Sequence, residues 1–444
     1  MSIHASAGRL NARRLCLVPF RRMRYIFPVM KIPEILCPAG NAEHLETACL
    51  YGADAVYLGV RGGTNLRAGA RNFAIEDLPG AVGYAHARGV RVYLTLNTCP
   101  HDAQMEALPP IIGQAASAGV DAFIVADIGI MSLVRELAPG TAVHLSTQAN
   151  TVNSRAAQAW ADLGVSRVIL ARELSCEEIR TIRANTTVEL EIFVHGGVCV
   201  SVSGRCLISS YLCGRDANQG RCAQPCRWDY ALMERTRPGE YLPVEEHGGY
   251  TYLYNSRDLC LLPVMDKVMA LGLDGLKIEG RSRASLYIAT VLRAYRKARD
   301  AYRENPGEYA VKPEWLEELG KVSNRRYFTG FFQGTPPGPS INHDFSGYVH
   351  THHLAAKVLE AHGGVTVFEA RNPLIEGMRA ELLASDGSLR EFVLQGMRVD
   401  GQHKARIRPG EAFSMQTRLD AMKGELVRKP LAEGGKVALK EAGA

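Results

Sequence analysis

The sequence predicts an α/β chain: a (β/α)8 TIM-like barrel with a cysteine-rich insertion after its seventh strand, then a small C-terminal all-β domain. Three observations carry this expectation. Eight short runs rich in Val, Ile and Leu are almost all separated by helical patterns between residues 34 and about 305. No G-x-G-x-x-G follows the first run, which weakens an open dinucleotide-binding sheet. Beyond a Gly- and Pro-rich stretch at 334–345, strand-like segments punctuated by turns replace the alternation.

Taken in order, residues 1–30 carry Arg9, Arg13, Arg14, Arg21, Arg22 and Arg24 with no acid, and are expected to be a basic, disordered extension. Without those six arginines the other 46 basic residues balance the 46 acidic ones, so the body has no global field for nucleic acid and needs local patches. Met30 stands just before "KIPEILCPAGN", where the folded pattern begins. The barrel is expected over 31–333, with strands at 34–38, 55–59, 91–97, 122–127, 143–148, 167–171, 188–194 and 275–279. Helices fall between them: "NAEHLETACLYG" has Asn41 as N-cap and Gly52 as stop, and "NSRAAQAWADLG" ends at Gly164. Roughly eighty residues separate the seventh strand from the eighth, and the insertion is placed at 195–257. It follows the C-terminal end of a strand, the face that carries active sites in barrels. A long helix, "SRASLYIATVLRAYRKARDAYREN", stops before Pro306, and the β domain is expected over 346–432.

The eleven cysteines, with no secretory signal pattern, point to a reducing, cytoplasmic setting and against paired disulfides. No run of about 18 apolar residues suggests a membrane span. Five of the cysteines lie between His195 and Tyr230. Cys199, Cys206, Cys222 and Cys226 give C-x6-C-x15-C-x3-C. Zinc sites favour two tight pairs, and only Cys222 and Cys226 form one. An iron–sulfur cluster tolerates uneven spacing. Inert buried thiols are common in cores, but this stretch is rich in Gly, Ser, Arg, Asn and Gln, which is loop chemistry. The spacing leaves cluster, zinc and inert thiols open. Cys260, in "NSRDLCLL", begins a helical pattern and is kept as a possible fifth metal ligand. Cys37 and Cys99, near strand ends, are candidates for lining the barrel mouth; Cys49 and Cys176 read as packing residues, and Cys213 as no ligand.

At "EIFVHGGVCVSVSGRCLISSY" the chain resembles the signature of the collagenase-like peptidase family U32. "EILCPAGNAEHLETACLYGADAVYLG", "NQGRCAQPCRWDY", "NSRDLCLL" and "LKIEGRSR" extend the resemblance over residues 33 to about 305, with an extension to about 430. The family is named for collagen degradation. Its better-defined members are oxygen-independent hydroxylation factors for tRNA wobble uridine, ribosomal RNA cytidine or ubiquinone precursors. By layout this chain resembles the tRNA branch. The resemblance implies a 4Fe-4S cluster on Cys199, Cys206, Cys222 and Cys226, prephenate as hydroxyl source, tRNA as partner, and work alone, as a homo-oligomer, or with a related subunit.

Polar residues at predicted strand ends are the remaining candidates: Asn97, Asp127, Gln148, Arg172, Glu173, His195, Glu279 and Arg281, with ordinary capping as the bland reading. Arginine forks suit a dicarboxylate, and Arg172, Arg205 and Arg281 are the candidates. His195 or Glu279 could move protons. Arg227, Trp228 and Tyr230 stand beside the cysteines for base contact, and Arg325, Arg326 and Tyr327 precede the β domain. A peptidase needs an activated nucleophile or metal-bound water. With no H-E-x-x-H or G-x-S-x-G, that alternative rests on His195 with Ser201 or Ser203. A third reading is an assembly protein that binds tRNA without chemistry of its own.

Overall fold

A computed structural model describes residues 31–62, 65–199, 201–228, 256–334 and 347–431. The basic extension 1–30, most of the predicted linker, Cys16, Tyr230 and the later part of the insertion lie outside the described residues.

Among the described residues, nine strands build the body of the first sheet: β1 (Glu34–Pro38), β2 (Ala55–Leu58), β3 (Arg91–Leu96), β4 (Ala122–Val125), β5 (Ala142–Leu145), β6 (Arg167–Ile169), β7 (Glu189–Gly197), β8 (Asp258–Cys260) and β9 (Gly275–Ile278). A further two-residue strand, Tyr327–Phe328, extends its edge. β1 to β7 pair in sequence order, all parallel, and β9 closes the cylinder between β7 and β1. These eight are the predicted strands, within a few residues. Their apolar runs are continuous because strands covered by helices outside and side chains inside are buried on both faces.

β8 is the departure. It pairs antiparallel with β7, Cys260 opposite His195, where a helix start was expected. Its apolar residues continue into the turn and helix that follow (Met265–Met269), so their spacing disguises a three-residue strand whose partner is distant in sequence.

The helices take the predicted capping chemistry. Asn41 accepts from the His44 amide at 2.9 Å at the start of Ala42–Leu50. Asn153 caps Ser154–Asp162, and Ser175 with Glu178 makes a capping box for Cys176–Ala184. Asp127 caps Ile128–Leu137, the bland role weighed for it.

Part of the barrel interior is charged rather than apolar. Arg167 pairs with Glu34, Glu189 and Glu191, and Glu191 also pairs with Lys277. Of these, Glu34, Glu191, Arg167 and Lys277 are buried. Such pairs persist in a dry interior only when their polar atoms are mutually satisfied.

Residues 352–430 supply an eight-stranded antiparallel sheet around Val358, Phe368, Leu382 and Phe413. It packs directly on the barrel: Leu383 and Leu426 belong to the barrel's core cluster. Tyr51 Oη donates to the Leu383 carbonyl at 2.8 Å and accepts from the Leu426 amide at 2.9 Å. The fully buried Arg428 forks onto Glu318 and onto Glu381.

Candidate functional site

The described part of the insertion lies over the C-terminal end of the barrel, clamped to several strand ends. The Ser203 amide donates to Glu173 at 2.8 Å. Arg205 Nε donates to the Gln148 carbonyl at 2.7 Å. The Gln219 side chain donates to the Cys99 carbonyl, while the Cys99 amide donates to the Asn218 carbonyl at 3.3 Å. Gly220 is required where the loop meets the segment after β2. Its φ is +77°, and a Cβ there would fall 2.3 Å from the Asn65 carbonyl oxygen. Asn218 brackets the Cys206 backbone, accepting from its amide at 3.4 Å and donating to its carbonyl at 3.2 Å.

These anchors enclose a cavity of about 630 Å³. Cys199, Cys206, Cys222 and Cys226 all line it. Burial pushes the Cys226 thiol pKa up, Arg227 opposes it, and Cys199, Cys222 and Cys206 push it further, so those three lie within electrostatic reach of Cys226. Among the described residues, no three His, Cys, Asp or Glu side chains group closely enough to hold one metal ion.

The cavity is strongly cationic. Arg67, Arg172, Arg215, Arg221, Arg227, Arg283 and Arg325 line it, and among the described residues Glu279 is the only acidic one that does. Arg67 donates through Nε and Nη2 to Glu279 at 3.0 and 2.7 Å, and Tyr57 donates to the other Glu279 oxygen at 3.0 Å. Burial alone would raise the Glu279 pKa, but Arg67 and Arg172 outweigh it and hold the carboxyl at about 2. Glu279 is therefore an anion at neutral pH and a poor proton donor. Arg172 stacks 4.2 Å from the Phe193 ring centroid and makes one long bond, 3.4 Å, to the Gly197 carbonyl. Most of its donors are uncommitted to other described residues, and burial lowers its pKa. On the far side, Arg283 and Arg325 flank the Tyr348 ring at 4.1 and 3.9 Å and both contact Asp258.

Several expectations are corrected. His195 is 1 % exposed, among the rings of Tyr287, Tyr295 and Tyr327, and lines no cavity at this site. Neither ring nitrogen has a hydrogen-bond partner among the described residues, and burial lowers its pKa to about 3. It is neutral core packing, so the predicted proton shuttle and the His195–serine pair are not assembled. Ser203 Oγ contacts Glu173 instead. Cys260 is buried with its sulfur 3.8 Å from the Tyr295 hydroxyl, and burial raises its pKa to about 11; it is outside the cavity and unavailable as a ligand there. Cys37 is also buried outside it, and Cys99 contributes backbone anchoring only. Arg281, 3 % exposed, spends its fork on Thr95, Asn65 and Asn72, which makes it a positioning residue for the segment after β2. Arg205 and Trp228 lie outside the cavity lining, Arg205 as a loop anchor and Trp228 47 % exposed. Tyr327 is spent on the Leu319 carbonyl and the His195 ring.

Gln148 lines the main cavity and the smaller pocket beneath it, and Asn97 lines the smaller pocket. Asn97 accepts from the Leu66 amide at 3.2 Å and lies 3.4 Å from the Gln148 side chain. The charged and aromatic lining residues not anticipated are Arg67, Arg215, Arg221, Arg283 and Tyr348. Arg67 had a readable signal, since "GGTNLRAGARNF" is a Gly- and Asn-rich loop after a barrel strand.

With this geometry in view, the comparison with known proteins is direct. Residues 40–342 match peptidase family U32. The chain belongs to that family. It is 41 % identical over 308 residues to "tRNA hydroxylation protein P1" of Bacillus subtilis, covering 69 % of this chain and 72 % of that one. It is 33 % identical over 428 residues to "tRNA hydroxylation protein P" of Escherichia coli, covering 86 % and 93 %. It is also 35 % identical over 313 residues to "Collagenase" of Porphyromonas gingivalis, covering 68 % and 73 %. No helix among the described residues is long and apolar enough to cross a membrane.

Proposed function

We propose that this U32 protein is a cytoplasmic tRNA-modifying enzyme that supports oxygen-independent, prephenate-dependent hydroxylation of wobble uridine to 5-hydroxyuridine. The observation that carries this reading is the cavity itself: four thiols and seven arginines around one opening at the barrel mouth. The names of its relatives from Bacillus subtilis and Escherichia coli give the reaction class.

The thiols suit an iron–sulfur cluster better than zinc. A tetrahedral zinc site needs sulfurs about 3.8 Å apart, given Zn–S bonds of about 2.3 Å. No group that tight occurs among the described residues, whereas thiols spread around one cavity suit a larger cluster. Cys199, Cys206, Cys222 and Cys226 would hold the 4Fe-4S cluster, which when bound supplies an electron-transfer centre. Arg67 and Arg172 lie within electrostatic reach of Cys222 and Cys199, and favour an anionic centre.

The chain's other residues bind and orient. The arginine-rich lining attracts phosphate. The volume lies within the range of about 300–1,000 Å³ usual for ligand pockets, consistent with an unstacked nucleotide entering from tRNA. Arg172, with donors uncommitted, is the best-placed fork for a co-substrate carboxylate.

The test is nucleoside mass spectrometry of tRNA from a deletion strain. Nucleosides derived from 5-hydroxyuridine should disappear, return with the wild-type gene and stay absent with Cys206→Ser. An unchanged nucleoside profile after deletion overturns the proposal.

A further inference from the structure

Beneath the large cavity a pocket of about 60 Å³ continues into the barrel, sharing Arg67, Gln148, Arg172 and Glu279 with it. Lys277 also lines it. Lys277, Glu279 and Arg281 alternate along β9 and its extension, the spacing that puts them on one face. The Lys277 amine is 3.1 Å from Glu191 and lies 4.4 and 5.6 Å from the ring centroids of Tyr57 and Phe193. The side chain is buried, and that burial lowers its pKa while Glu191 opposes the shift. Glu191 does not depend on Lys277 for a counter-ion, since Arg167 approaches it at 3.2 Å. Two guanidiniums lining the same pocket, those of Arg172 and Arg281, each keep an Nε with no partner among the described residues.

A desolvated amine on a side chain that lines a cavity, with guanidiniums in the same lining, is an arrangement that activates lysine toward carbonyls. We propose that Lys277 forms a Schiff base with a small 2-oxo acid whose carboxylate is held by Arg172. This deepens the hydroxylation reading, on which it rests for the need of a small co-substrate, and prephenate carries such a group. The amine nitrogen bonds to the carbonyl carbon and the carbon–oxygen bond breaks. Two protons of the ammonium leave with that oxygen as water. The product iminium keeps one positive charge, so Glu191 stays paired throughout.

The test uses the full-length protein without tRNA, incubated with pyruvate or phenylpyruvate and treated with borohydride, whose hydride reduces an imine to a stable secondary amine. One adduct per chain is expected, mapped by fragment masses to Lys277 in the wild type and absent with lactate. Arg172→Ala should raise the half-labelling concentration about tenfold, the loss of one charge-assisted contact. No adduct, or label spread over surface lysines and undiminished in Lys277→Arg, overturns the proposal and leaves Lys277 as a counter-ion only. Mapping in the wild type does not depend on any variant folding. The tRNA assay fails separately: no adduct together with loss of 5-hydroxyuridine in the deletion strain refutes only the Schiff base, and an adduct mapped to Lys277 together with an unchanged nucleoside profile after deletion refutes only the hydroxylation reading.

Discussion

Replacing Glu279 by glutamine keeps the side-chain size but removes the charge that faces Arg67 and Arg172. In the folded protein this carboxyl sits at about 2 against an ordinary 4.5, because the two arginines outweigh burial. A difference of about 2.5 units corresponds to about 3 kcal/mol. The Arg67 side chain is 44 % exposed, so solvent screening reduces the expected loss to about 2 kcal/mol. The folded value lies below the unfolded one, so this stability is fully present above pH 4.5 and disappears as pH falls toward 2. Urea denaturation of wild type and Glu279→Gln, followed by far-ultraviolet circular dichroism, should show a constant gap from pH 8 to 5.5. By pH 3.5 the gap should shrink by about two fifths, as the carboxyl of the unfolded wild-type chain takes up its proton while the folded one stays ionised. A gap under about 0.5 kcal/mol at pH 7, or one unchanged at pH 3.5, refutes the assignment of Glu279 as the arginine-held anion.

Three further perturbations address the supports of the site. Gly220→Ala adds about 1–2 kcal/mol of left-handed strain to a contact of 2.3 Å with the Asn65 carbonyl, so it should lower the melting temperature and speed proteolysis of the loop 201–228. Arg281→Ala removes one hydrogen-bond partner each from Thr95, Asn65 and Asn72 and should destabilise by about 1–3 kcal/mol; Arg281→Lys, lacking the fork, should recover only part of this in the same denaturation assay. His195→Phe should leave tRNA modification intact and improve resistance to acid. The folded imidazole sits near 3, so wild type loses stability as pH falls from about 6.5 toward 3, and thermal melts at pH 7 and 5 should diverge between the two proteins.

The barrel was legible because each of its eight parallel strands is a short apolar run bounded by its own caps and turns. The four cavity cysteines were legible because a polar loop offers no core in which to hide them. What escaped was set by contacts between distant segments. β8 depends on pairing with β7, some sixty residues earlier, and no local period reports it. His195 and Arg281 sit at strand ends, as active-site residues do. Whether such a side chain meets the cavity depends on which rings and amides surround it: Tyr287, Tyr295 and Tyr327 for one, Asn65 and Asn72 for the other. Tyr348 reaches the rim from the start of the C-terminal segment, which the sequence left without a position relative to the barrel.

The most direct measurement of the central claim is the iron and acid-labile sulfide content of the full-length protein purified without oxygen. About four of each per chain are expected, abolished by serine at Cys199, Cys206, Cys222 or Cys226 and retained in Cys260→Ser and Cys213→Ser. One zinc per chain, or iron content indifferent to those four substitutions, would contradict it.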